Sequence, residues 1–375
     1  MPGVFPWHLA VGHEGTPAYT VGGRRDVSGI VADSEGTEKM KIDTGLGMGS
    51  LDRVGEHARR AEELGFATLW SVEAQGTPFL PLAIAAVETE RIELGTGIAV
   101  AFARSPMVHA MTAWDLHKAS KGRFILGLGT QVKKHVERRF SAEFSPPGPR
   151  MRDMLLAIRH IWDAFDGKHK LSYKGKYYTH DYSNPFFTPG PTGYGQPKLM
   201  IAAVGPYMCR LAGEVCDGME VHPFHTAKYF DEVILPNVQI GLAKAGRSLD
   251  DFEFTTSAFA LVGTGEQQEK LAGLARQQIA FYGSTPAYKG VFEIEGWDDL
   301  QPQLANMVRK NEWGNMNNLI SDEVMEKFTV RADFADLPNA INERFGSRAQ
   351  RVGFYTPVIG SGLEEQYAKV VKALA

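Results

Sequence analysis

Residues 92–129 constrain the fold of this chain more than any other stretch. They read IELGTGIAVAFARSPMVHAMTAWDLHKASKGRFILGLG. An apolar strand over 92–101 runs into a turn at Arg104-Ser105-Pro106. A helix-length segment extends to Ser120, and after Lys121-Gly122-Arg123 a second strand covers 124–129. This is one β-helix-β unit with almost no spare residues. Strands buried on both faces read as continuous apolar runs rather than alternating ones, so the unit points to a parallel sheet. Glycines stand toward both strand ends, Gly95 and Gly97 on the first, Gly127 and Gly129 on the second. A missing Cβ lets backbone or ligand approach closely, so the search for a ligand site begins at these neighbouring ends.

The same alternation runs through the rest of the chain. Strands are expected at 41–46, 67–72, 198–204, 219–222, 252–262 and 352–355. Helices are expected at 51–64, 78–89, 150–166, 206–216, 228–245, 266–282, 337–345 and 364–374. Residues 171–181 read as a hairpin across Lys174-Gly175, and 283–330 as an irregular, partly helical insertion. Eight strands alternating with helices predict a (β/α)8 TIM barrel with insertions over its C-terminal mouth, near 167–197 and 283–330. An open doubly wound sheet is the alternative, but no strand is followed by the G-x-G-x-x-G turn of a dinucleotide fold. Residues 1–40 differ: their glycines are scattered among polar residues without period, which predicts a flexible arm ahead of a single domain at 41–375. Met40 followed by Lys-Ile-Asp would also make a plausible start.

A net charge of −4 and a pI near 6.3 argue against nucleic acid or an anionic membrane as partner. No apolar run reaches the ~18–20 residues that span a bilayer, and Met1 opens no secretory signal, so a soluble cytoplasmic protein is expected. Cys209 and Cys216, seven apart on one helix, suit neither a zinc site nor a redox pair and read as reduced structural thiols.

Function in a barrel collects where strands end and helices begin. Those ends include Gly97-Ile98-Ala99, Gly129-Thr130-Gln131 and Val204-Gly205-Pro206. Most are small or apolar, which suits a flat aromatic ligand. Pro206 at a first helical position leaves free N–H groups pointing at the strand end, either an anion site or simply a tight turn. Glu73 ends an apolar strand, where a carboxylate needs either a structural partner, with Arg104 the candidate, or a functional role. His222 and His225 bracket Pro223-Phe224, and His222, ending a strand, is read either as a satisfied hydrogen-bonding residue or as a proton-transfer candidate. In the charged run 133–139, His135 is placed nearest the mouth by helical spacing. No histidine pair stands with a carboxylate at metal spacing, so no metal is expected.

Leu94-Gly95-Thr96-Gly97-Ile98, Arg104-Ser105-Pro106, Ser120-Lys121-Gly122-Arg123 and Leu126-Gly127-Leu128-Gly129-Thr130 together resemble the bacterial luciferase-like superfamily. Ile201–Pro206 and Ala212–Gly218 extend the match from about Lys41 to the C-terminus. Val221-His222-Pro223-Phe224, 99–106 and 278–288 resemble its actinobacterial branch of F420-dependent oxidoreductases. The resemblance implies a flavin or deazaflavin at the strand ends. It also implies a non-proline cis peptide at Gly97-Ile98, and cofactor contacts from Gly129, Thr130, His135, Ala203, Val204 and Gly205. One departure stands out. Sugar-phosphate dehydrogenases of the superfamily carry Asp-His and a later acid where this chain has Glu73-Ala74 and Gln131-Val132.

The expected function is hydride transfer between coenzyme F420 and a small, mostly apolar substrate, with His222 as proton-transfer candidate and Glu73 as orienting residue. A two-component monooxygenase using reduced FMN is the first alternative, and a non-catalytic cofactor-binding relative the second. Expected partners are a flavin or F420 reductase supplying cofactor and a second copy of the chain in a homodimer.

Overall fold

The computed structural model describes residues 39–47 and 49–375, so the expected arm at 1–40 lies almost wholly outside the described residues. The strands are β1 (Lys41–Gly45), β2 (Thr68–Ser71), β3 (Glu93–Thr96), β4 (Ala99–Val100), β5 (Phe124–Gly129), β6 (Tyr173–Lys174), β7 (Thr179–His180), β8 (Lys198–Ala203), β9 (Gly218–Val221), β10 (Glu253–Val262), β11 (Thr329–Ala332) and β12 (Arg351–Phe354). Strands β1, β2, β3, β5, β8, β9, β10 and β12 are parallel neighbours in that order. Because β12 pairs with both β10 and β1, the sheet closes into the expected (β/α)8 barrel. Outside it stand the β6–β7 hairpin and β11.

The helices that matter here are α1 (Val54–Glu63), α2 (Phe79–Glu88), α3 (Pro106–Ala119), α4 (Lys133–Arg138), α5 (Pro147–Phe165) and α6 (Pro206–Val215). Helix α3 starts where the sequence says it should: Pro106 takes the first position and the Ser105 hydroxyl caps the Val108 amide. Among the described residues no helix is long and apolar enough to cross a membrane. Both cysteines are buried and free.

Three details depart from the sequence reading. The strand expected at 92–101 is two pieces, β3 and β4, the second paired with β5. The Gly97–Ile98 peptide bond between them is cis, as the family resemblance implied. The helix expected at 228–245 contains a π-helical turn at Phe230–Ile234. And β11, hidden in the 283–330 insertion, docks on the outer half of β10, which is 10 residues long where its barrel neighbours are shorter.

The barrel interior is layered. At its N-terminal end, first residues of six strands (Lys41, Thr68, Glu93, Lys198, Glu253 and Arg351) form one ionic network with Asp43. Arg351 is fully buried at its centre and donates to Asp43, Glu93, Glu253 and Thr68. Above lies an apolar layer of Trp70, Ile125 and Met200. The Trp70 indole N–H donates to Asp43 at 2.9 Å, tying the two layers together.

Candidate active site

Above the Trp70 layer a cavity of about 60 Å³ opens among the C-terminal halves of the strands. That is room for about four waters at ~15 Å³ each, too small for a flat polycyclic ring, which would have to lie above it. Its wall includes Thr44 and Gly45 of β1, Trp70, Gly97, Ala202, Glu220, His222 and Tyr355. The glycines behind it correct the sequence reading. A Cβ on Gly95 would stand 2.2 Å from the Trp70 ring, and one on Gly127 would stand 2.0 Å from both a Glu220 oxygen and the Thr96 carbonyl. The room at these two positions is taken by the protein's own side chains, Trp70 and Glu220, rather than kept for a ligand.

Glu73 adopts the structural alternative. Arg104 donates to both of its carboxylate oxygens, at 2.6 and 2.8 Å, and the Val100 amide donates to one of them at 2.7 Å. The Glu73 amide in turn donates to the Ile98 carbonyl. This carboxylate therefore splices the end of β2 onto the segment Ile98-Ala99-Val100, and Glu73 is absent from the cavity wall.

His222 directly follows β9 and does line the cavity, but not in the state expected of it. Its ring is stacked on Tyr288 and edge-on to Tyr282, with centroids 4.9 and 4.6 Å away. Burial, with the neighbouring His225 second, lowers its pKa to about 3, so the expectation that it titrates near neutrality is corrected. Its Nδ1 accepts the Phe224 amide at 3.1 Å. The neutral ring must then carry its proton on Nε2, which has no partner in the protein. His222 is thus a fixed donor facing the cavity. His225 points elsewhere, donating from Nδ1 to the His222 carbonyl at 2.7 Å.

The remaining candidates collect in two adjacent turns. After β5, Thr130 and Gln131 are buried, Gln131 adopts a left-handed backbone with φ 57°, and its Oε1 accepts the Val132 amide. His135 follows on α4, its pKa lowered by burial and then by Arg139 and Lys134. After β8, Ala203 and Val204 are buried, and Gly205 caps α6 with Pro206 at its first position. A Cβ on Gly205 would meet nothing within 4 Å, so here the space is open. Beside these turns Ile98, Val100 and Ala202 form a small apolar cluster of their own. Apolar surface for a planar ring and helix-end amides for a phosphate thus sit three residues apart on one strand end. The residues present fit a flavin-like cofactor.

Glu220 was not singled out in the sequence. It sits in the middle of β9, and its carboxyl reaches across the barrel to lie against Gly127 and Gly97. Oxygen Oε1 is buried without a hydrogen-bond partner. Burial, with the Asp43 charge second, pushes its pKa well above the carboxylate range. The signal was available: a carboxylate inside an apolar strand, the same anomaly that drew attention to Glu73.

Among the described residues no group of three or more His, Cys, Asp and Glu could hold a metal ion. A family model described as luciferase-like monooxygenase matches residues 33–354. An uncharacterised protein of Mycobacterium tuberculosis H37Rv is 43% identical over 320 residues, covering 84% of this chain and 93% of that protein. An F420-dependent glucose-6-phosphate dehydrogenase of Intrasporangium calvum is 30% identical over 219 residues, 53% of this chain and 62% of that one. The solved coenzyme F420-dependent tetrahydromethanopterin reductase of Methanopyrus kandleri superposes with a TM-score of 0.70 at 22% identity, covering 90% and 97% of the two chains.

Proposed function

The chain belongs to the luciferase-like monooxygenase family, and from that premise we propose that it is a cytoplasmic oxidoreductase transferring a hydride between coenzyme F420 and a small, mostly apolar organic substrate. One observation carries the cofactor reading: the apolar cluster Ile98, Val100 and Ala202 adjoins the open N-terminus of α6 at Gly205. The F420-dependent relative supports the deazaflavin over a flavin. The substrate of that relative does not transfer, because Glu73-Ala74 and Gln131 replace the residues of the sugar-phosphate pattern.

When bound, the deazaflavin supplies the hydride. The protein supplies position. Glu73 and Arg104 hold the segment Gly97-Ile98-Ala99 against which the ring would rest. Gly129, Thr130, Gln131 and His135, with Ala203, Val204, Gly205 and Pro206, would hold the rest of the cofactor, its phosphate at the α6 amides. His222 Nε2–H offers a hydrogen bond to a substrate acceptor, and Trp70 and Tyr355 narrow the space left for water. The same site in a homodimer fed by an F420 reductase completes the reading.

Titrating the purified protein with F420 and with FMN, following cofactor fluorescence, tests it. Saturable binding of F420 with markedly weaker binding of FMN is expected. The reverse order would turn the assignment to a monooxygenase using reduced FMN, and binding of neither would sink it.

A further inference from the structure

Three buried polar atoms without a partner among the described residues belong to residues lining one cavity: Thr44 Oγ1 on β1, Glu220 Oε1 on β9, and Nε2 of His222 just after β9. Buried polar groups are almost always hydrogen-bonded, since leaving one unmade costs about 1–3 kcal/mol. Three on one wall mark a place built for a polar group that is not part of the chain. Two of them can be assigned. His222 Nε2 carries a proton, because Nδ1 is occupied as an acceptor. Among the described residues Glu220 has no salt-bridge cation, and the buried guanidinium of Arg351 is spent on Asp43, Glu93 and Glu253. The groups its carboxyl faces are the β3 and β5 backbones at Gly97 and Gly127 and the like charge of Asp43 on β1. An unpaired carboxylate in such a place is prohibitively costly, so the group holds its proton.

We propose that Glu220 is the proton donor of the reaction, and that the cavity takes the carbonyl or imine head of the substrate between the Glu220 carboxyl and His222 Nε2–H. The proposal rests on the hydride-transfer reading above. In the reducing direction the carbonyl carbon would accept the hydride that a bound, reduced deazaflavin supplies, forming a C–H bond. The π pair of the C=O bond moves to oxygen, the Glu220 O–H bond breaks, and its proton goes to that oxygen, giving the alcohol. The carboxyl would be restored by the proton that oxidation of the cofactor sets free. One hydride, carrying two electrons, and one proton pass to the substrate.

The donor pair explains why an acid is placed here rather than at the end of β2, where Glu73 is held by Arg104. It also explains why Gly127 cannot be larger: its missing Cβ is the space in which Glu220 Oε1 lies, 2.0 Å from where that atom would be.

The test uses the whole enzyme at pH 7.5, labelled with ¹³C-glutamate, by difference infrared spectroscopy. One un-ionised glutamate carboxyl band is expected, absent from Glu220→Gln and replaced in Glu220→Asp by an unlabelled aspartic acid band, since that variant keeps the acid but retracts it. Acetone or cyclohexanone should shift the band to lower frequency, whereas cyclohexane, which has no acceptor, should not. With F420 bound, Glu220→Gln should oxidise reduced F420 with these ketones ~10²-fold more slowly at unchanged F420 affinity. An ionised Glu220, or a band that neither ketone moves, overturns the proposal. Failure to bind F420 would sink the cofactor assignment instead, leaving the infrared result to judge the donor. If Glu220→Gln does not fold, the Asp variant and the labelled wild-type protein still decide.

Discussion

Two layers of the same barrel treat charge in opposite ways. At the N-terminal end Arg351, Asp43, Glu93 and Glu253 are buried or half-buried, and each is paired. A few ångströms along the axis, past the Trp70 indole, Thr44, Glu220 and His222 are enclosed with polar atoms left unpaired. The lower layer is closed upon itself and has no use for an outside group. The upper one is incomplete without it. A fold that puts stability at one end of its strands and function at the other draws this line chemically as well as spatially.

The largest expected effect lies in the lower layer. Arg351→Met removes a guanidinium shared by three carboxylates and should cost about 3–5 kcal/mol of stability in urea unfolding; a loss below about 1 kcal/mol would erase the distinction between the layers. The same layer sets an acid limit. Despite burial, which acts the other way, Arg351, Lys198 and Lys41 lower the Glu253 pKa to about 2. A depressed carboxyl contributes stability that is full above its unfolded value and lost as pH falls through the folded one. Stability should therefore decline from about pH 4.5 toward 2 in the wild type, and less steeply in Glu253→Gln.

In the upper layer His222→Asn should leave the fold and cofactor affinity intact and lower kcat ~10²-fold through loss of a fixed donor. Because His222 is already neutral, the wild-type rate should show no inflection near pH 6.5 that this variant removes. Such an inflection would restore it as an acid–base group. Gly205→Val, whose Cβ would enter open space, should weaken F420 binding ~10-fold, worth about 1.4 kcal/mol, with Tm unchanged. The smallest effect sharpens the contrast most. Thr44→Val deletes a buried hydroxyl that has no partner, and should be neutral or raise stability by up to ~1 kcal/mol, the opposite sign to any deletion in the ionic layer.

Most of the fold was legible from the sequence because buried parallel strands and their helices leave long, regular signals. Strand β5 and the helices Leu337–Phe345 and Glu364–Leu374 fall on the expected residues. What escaped was non-local. The early end of β3 and the docking of β11 depend on neighbours distant in the chain, whereas the cis bond at Gly97–Ile98 was implied by the family resemblance and is present. The site was legible as strand ends and only partly as chemistry. The pairing of Glu73 with Arg104 was foreseen as one of two readings. The neutrality of His222 was not, since it comes first from burial, and the rings packed on it, Tyr282 and Tyr288, lie some sixty residues away. Glu220 escaped because a single acid in a four-residue strand is easily taken for an outward-facing one.

The packed triad of Trp70, Ile125 and Met200 has a kinetic corollary. It closes the cavity on its lower side, so a substrate reaches it from the mouth of the barrel. In the proposed reading a planar ring resting at that mouth would stand in the way of substrate and product alike. Traffic then becomes ordered: the small molecule enters before the ring settles or slips past its edge, and a product that lingers bars the next arrival.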